Sequence, residues 1–189
     1  MPKVLLIIGE AAETTDTLYP YFRVQEDGFE CVVAAPEQRT YQLVLHDRPE
    51  GWDLTRETLA YRFAADVAFR EVRPEEYAGL ILSGGRAPEY LRYDPDLLAI
   101  TRHFFGSGKP VACVCHGIEI PAAADVLRGR TVTTVAKCRF DAEFAGATYV
   151  DQPAVIDGNL VTARTFWDAA PWMRAFMRLL AEAAGRNRA

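Results

Sequence analysis

No apolar run in this chain approaches the roughly 18 residues needed to cross a bilayer. The earliest candidate, Val4 to Ile8, is also too short for the apolar region of a secretion signal, and Glu10 and Glu13 follow it. Positive charge is in deficit: 21 Lys and Arg stand against 26 Asp and Glu, a formal charge of −5. That removes the electrostatic case for a nucleic-acid partner. Cysteine is sparse. The four residues at 31, 113, 115 and 138 are too scattered for a disulfide framework. Cys113 and Cys115 also lack the gap of a Cys-x-x-Cys zinc pair. Gly84-Gly85 does not extend into a Gly-x-Gly-x-x-Gly dinucleotide signature. No repeat and no linker divides the 189 residues. A single domain spanning 1–189 is therefore expected, in a reducing, cytoplasmic setting, with no membrane partner, no metal and no cofactor.

What is present centres on Lys109-Pro110-Val111-Ala112-Cys113-Val114-Cys115-His116-Gly117. Val111 to Val114 reads as a buried strand that stops sharply on Cys115. A strand ending in a nucleophile, with glycine two residues on and a helix following, has the layout of a nucleophile elbow. The helix N-terminus then offers free N–H groups to the sulfur, which favours thiolate. Cys113, two residues earlier, reads as core, as does Cys31.

Lys3 to Ile8 is a continuous apolar strand of the parallel-sheet kind. Thr15-Asp16 is a candidate N-cap for a helix ending at Asp27-Gly28, and Phe29 to Ala35 is a second strand, which completes a βαβ unit. Tyr41 to Leu45 and Thr58 to Phe63 are predicted to pair as an antiparallel excursion at the sheet edge. Tyr77 to Leu82 is another buried strand, and Asp94-Pro95 starts a helix. A helix is predicted from His116 to Leu127 despite Pro121, a strand over Arg130 to Ala136, and a short helix over Asp141 to Ala145. A hairpin turns at Asp157-Gly158-Asn159. Ala169 to Ala184 is the closing amphipathic helix, and Gly185 to Ala189 reads as a frayed tail. Ligands of open α/β sheets bind at the carboxyl ends of strands. Three such ends carry polar or glycine-rich sequence: Glu10 to Glu13, Ser83 to Glu89, and Cys115-His116.

Three stretches, Ala78 to Arg92, Ser107 to Gly117 and Ala124 to Arg130, together resemble the DJ-1/PfpI superfamily, and most closely its PfpI-type intracellular protease and glyoxalase III-like branch. The resemblance implies a flavodoxin-like three-layer α/β/α sandwich with a mostly parallel sheet, akin to class I glutamine amidotransferases. It implies that Cys115 is the nucleophile, that Glu13 hydrogen-bonds its thiol, and that His116 turns toward Glu89 of an adjacent subunit. Backbone at Gly84, Gly85 and His116 would form the oxyanion pocket. A homodimer or hexamer with an interfacial active site follows from the same resemblance.

The chain departs from that pattern in places. Ser83 stands where the family usually has proline, and Ile118-Glu119 where Cys-His-Gly-Pro is common. Glu119 is expected near the site. His46 and Trp52, in the long 41–63 segment, either shape a pocket or belong to a surface loop, and Cys138 either approaches Cys115 or sits in the core or at the rim. The implied activity is cysteine-dependent chemistry on small reactive carbonyls, of glyoxalase III or deglycase type, or hydrolysis of amide and peptide bonds. The alternative is a non-catalytic stress-response, redox-sensing or chaperone-like protein with an oxidisable Cys115.

Overall fold

The computed structural model describes residues 1–185. The predicted tail therefore begins at a described Gly185, and its residues 186–189 lie outside the described part. Strands β1 (Lys3–Ile7), β2 (Glu30–Ala35), β5 (Val67–Ala68), β6 (Tyr77–Leu82), β7 (Val111–Val114), β10 (Ala154–Asp157) and β11 (Leu160–Ala163) form one sheet, in the order β10-β11-β7-β6-β1-β2-β5. Every pairing is parallel except β10 with β11. The central strands read as unbroken aliphatic runs because both faces are covered. Val4, Leu5, Leu6, Leu80, Ile81, Val111 and Ala112 are wholly buried.

Helix α1 (Thr14–Glu26) packs on β1 and β2 and against α6 (Ala169–Ala183), which crosses β6, β7 and β11. The sequence spacing predicts a stripe of Trp172, Phe176, Leu179 and Leu180; Trp172, Phe176 and Leu180 are buried together with Met173 and Met177, while Leu179 is half-buried at the edge of the face. Helix α3 (Pro95–Ser107) packs on β6 and on α4 (Glu119–Ala123), with α2 (Ala87–Leu91) beside α4. It starts where Asp94 accepts the Asp96 and Leu97 N–H groups, and it stops at Gly108. The flavodoxin-like architecture is as expected.

Several local expectations give way. The N-cap of α1 is Glu13 and not Thr15-Asp16: Glu13 Oε2 accepts the Asp16 N–H at 2.7 Å. The helix after His116 is a 3₁₀ turn over Cys115–Ile118 followed by the short α4, ending well before Leu127. Pro121 sits in the first turn of α4, where no helical partner for its nitrogen is needed, and Asp125 at φ 56° turns the chain away. The strand expected over Arg130 to Ala136 shrinks to β8 (Thr131–Val132), paired with β9 (Thr148–Tyr149) outside the main sheet. Its later residues make other bonds: the Thr133 N–H donates to Thr162 Oγ1 at 2.9 Å, and Thr134 Oγ1 donates to the Cys115 carbonyl at 2.6 Å. The short helix following is α5 (Arg139–Phe144).

The 41–63 excursion is an antiparallel hairpin, β3 (Thr40–Asp47) with β4 (Arg56–Ala64), but it does not extend the main sheet. It docks on the loop after β1. Ala11 N–H donates to the Gln42 carbonyl at 2.9 Å, and Val44 N–H donates to the Ala12 carbonyl at 3.0 Å. This places it over the carboxyl ends of the strands.

Candidate active site

The three loops singled out in the sequence do converge. Glu13 N–H donates to the Gly84 carbonyl at 3.2 Å, and Arg86 N–H donates to the Ala11 carbonyl at 2.7 Å. Gly85 has φ 82°, and a Cβ there would overlap the Ala11 carbonyl and the Glu13 nitrogen. Only glycine lets the first loop lie across the second.

Cys115 follows β7 directly with φ 57°, a left-handed conformation that costs an L-residue about 1–2 kcal/mol. Such strain persists only when the surroundings enforce it. Here the buried β7 pulls from one side and Thr134 holds the Cys115 carbonyl from the other. The turn aims the sulfur into a cavity of about 150 Å³ lined by Glu13, His46, Arg48, Thr55, Cys115, His116, Val135, Lys137, Thr165, Phe166 and Trp167. His116 Nδ1 lies 3.2 Å from Cys115 Sγ.

Electrostatics define the resting state. Burial pushes the Cys115 thiol well above its ordinary range, and the nearby Asp16 carboxyl adds to the rise. Backbone N–H groups of His116 and Gly85 oppose it. Burial therefore outweighs the thiolate-favouring 3₁₀ turn, contrary to the expectation from the elbow, and the sulfur rests as a thiol. Burial, then the Lys137 ammonium and His46, lower His116 to about 4. At neutral pH it is an unprotonated imidazole, able to receive the thiol proton.

A scan against family models matches residues 2–179 to the DJ-1/PfpI family. The chain belongs to that family. Among curated relatives, it is 39% identical to a deglycase of Thermococcus kodakarensis over 94% of this chain and 99% of the relative. It is 36% identical to the deglycase PfpI of Pyrococcus furiosus, with the same coverage. Among solved structures, Drosophila melanogaster DJ-1beta superposes with a TM-score of 0.78 at 19% identity, covering 97% of this chain and 91% of that one.

Within this DJ-1/PfpI fold, the acidic residue at the elbow is not the one the sequence singled out. Glu13 lines the cavity, but its carboxylate is occupied as the N-cap of α1. Asp16, one helical turn on, is the carboxyl that flanks the cysteine. A Cβ added to Gly84 would overlap Asp16 Oδ2 and lie 2.6 Å from Cys115 Cβ, so the two side chains sit on either side of that glycine. Asp16 is 1% exposed, no side chain among the described residues hydrogen-bonds its carboxyl, and only the Gly84 backbone N–H faces it. Burial, then Glu13, raise its pKa well above the carboxylate range, eased by the Gly84 N–H. The signal that reveals Asp16 is its spacing: i, i+3 from Glu13 puts both carboxyls on one side of the first turn.

The remaining candidates divide. Gly85 and His116 present backbone N–H groups to the sulfur, whereas Gly84 turns its N–H to Asp16. Glu89 does not contact His116 within the chain. It forms a fork with Arg86 at 3.0 and 2.9 Å and stays exposed. His46 does reach the cavity. Its ring centroid is 6.2 Å from that of His116, and its Nε2 is 2.9 Å from Glu57 Oε2.

Trp52 does not line the cavity and is 58% exposed on the hairpin loop. Glu119 and Cys138 do not line it either, because they turn to a buried cluster of their own. Cys138 Sγ is 3.5 Å from Glu119 Oε1, and Arg92 reaches Glu119 at 3.4 Å and Asp141 at 3.0 Å. Glu119, Cys138 and Asp141 bring their ligand atoms within 4.8 Å of one another, and the Arg92 guanidinium already supplies the positive charge there. Among the described residues, no helix is long and apolar enough to cross a membrane.

Proposed function

We propose that the protein is a cysteine-dependent enzyme acting on small reactive carbonyl compounds, in the manner of a glyoxalase III or deglycase. The carrying observation is the strained Cys115 opening its sulfur into a 150 Å³ cavity with an unprotonated imidazole 3.2 Å away. Pockets for larger organic ligands run to about 300–1,000 Å³. A cavity of this size elsewhere holds a guest such as benzene, so a small carbonyl suits it better than a peptide. The names of the deglycase relatives support the same class.

The chemistry follows from the groups present. Cys115 Sγ adds to the aldehyde carbon of a 2-oxoaldehyde while His116 relays the thiol proton to the aldehyde oxygen, giving a hemithioacetal. The Gly85 and His116 N–H groups face the sulfur and ease negative charge there, while Asp16, raised in pKa by burial, flanks it. A base then moves the aldehyde proton from C1 to C2, converting the hemithioacetal to a thioester with no external oxidant. Water releases the 2-hydroxy acid and restores the thiol.

A second copy offering Glu89 to His116, in a homo-oligomer, belongs to this proposal; Glu89 is exposed and available for it. The test is lactate formation from methylglyoxal by the wild type and by Cys115→Ala. Turnover abolished in the variant is the expected result. No lactate from either protein, or equal rates from both, overturns the reading.

A further inference from the structure

The catalytic groups leave part of the cavity wall unexplained. Lys137 precedes α5 and Arg48 follows β3, so two cations from unrelated elements line the same small space as Cys115. Neither charge is spent inside the protein. Among the described residues Lys137 makes no ion pair, and Arg48 has only a loose, exposed pair with Asp53 at 3.7 Å, besides donating to the Trp52 carbonyl. The one carboxylate lining the cavity, Glu13, is tied to the start of α1 and is raised in pKa by its burial. Thr55 and Thr165 add hydroxyl-bearing side chains, and Phe166 and Trp167 an apolar wall.

We propose that this cavity takes carbonyl compounds that carry an acidic group, with Lys137 and Arg48 receiving that group while Cys115 meets the carbonyl. The proposal rests on the carbonyl reading above and specifies its substrate class. It also has a chemical logic. A 2-oxoaldehyde is uncharged but its product is a carboxylate, so cations beside the sulfur favour the charge that forms during turnover. A substrate that already bears a carboxylate or a phosphate engages them from the start. Lys137 is exposed at the mouth of the cavity, and its ammonium lowers the pKa of His116 electrostatically.

The test separates binding from catalysis. Cys115→Ala protein is titrated calorimetrically with pyruvate, with glycolaldehyde phosphate, and with hydroxyacetone as the uncharged counterpart. A charge-assisted contact should make at least one anion bind about tenfold tighter than hydroxyacetone. The advantage should shrink with added salt. It should disappear when Lys137→Met and Arg48→Met are combined on the same background, and persist in Lys137→Arg. Which anion wins assigns the acidic group as carboxylate or phosphate.

Equal binding of all three compounds overturns the proposal. So does an anion preference that survives the double variant while its thermal unfolding matches the parent. Failure of methylglyoxal turnover in the wild type would sink the catalytic reading and leave this titration intact. Turnover without anion preference would do the reverse.

Discussion

Replacing Asp16 with asparagine isolates the most costly group at the elbow. The substitution keeps the shape and removes the ionisable proton. Asp16 is buried and has Glu13 beside it, with only the Gly84 N–H facing its carboxyl, so its folded pKa lies above its unfolded one. The sign follows from linkage. An acid with a raised folded pKa contributes stability below its unfolded pKa of about 3.9, and loses it as pH rises toward the folded value. The helix dipole at the first turn of α1 favours a charged Asp16, but only by about 0.3–1 kcal/mol. Each pH unit in the window is worth about 1.4 kcal/mol, so burial wins.

At about 2–4 °C per kcal/mol for a chain of this length, the melting temperature of Asp16→Asn should gain about 3–6 °C on the wild type per pH unit above 4. The gap should level off where Asp16 ionises in the folded state. Thermal unfolding by circular dichroism at several pH values from 4 to 8 reads this directly. Subtracting the wild type cancels other titrating groups, His116 included. Methylglyoxal turnover should fall in the same variant, a stability gain at the expense of activity. A melting-temperature gap that is constant with pH, or that narrows as pH rises, refutes a raised pKa for the buried Asp16.

Three further outcomes follow from the same geometry. Gly84→Ala should destabilise by about 1–3 kcal/mol, because its methyl would overlap Asp16 and press on Cys115 Cβ; denaturant unfolding measures it. His116, held near 4 against an ordinary 6.5, is neutral when folded, so the unfolded chain takes up its proton first as pH falls. Stability should drop by about 3 kcal/mol between pH 6.5 and 4 in the wild type, and by clearly less in His116→Gln, by the same unfolding assay. Arg92→Met strands the buried Glu119 and should cost about 2 kcal/mol, less than a fully buried pair because Arg92 is 25% exposed. Adding Glu119→Gln should recover most of that, and a double-mutant cycle tests the coupling.

The parts of the fold legible in the sequence are those where one physical demand acts alone. β1, β6 and β7 are covered on both faces, so their apolar runs announce them. Cys115 was legible because a nucleophile and a glycine interrupt such a run. Asp16 was not. Sequence reasoning treats an acidic residue near a helix start as a solvated cap, and its burial comes from the β6 loop and β7, distant in the chain. Thr133 and Thr134 look like strand residues, yet their bonds run to Thr162 and to the elbow carbonyl, which only the tertiary arrangement supplies. The hairpin was legible as two strands but not in position. Outward residues such as Leu59 and Tyr61 are apolar and exposed, so the pattern does not reveal which face is covered. Lys137 passed unnoticed because a surface lysine is ordinary until a cavity is found beside it.

Stoichiometric alkylation tests the central claim most directly. All four cysteines are buried, but only Cys115 lines the cavity. The wild type is treated with iodoacetamide while methylglyoxal turnover and site occupancy are followed together, the latter by peptide mass spectrometry. The account requires turnover to vanish in step with a single alkyl group on Cys115, and methylglyoxal to slow both. Activity that persists with Cys115 fully alkylated, or that is lost in step with Cys138 instead, contradicts it.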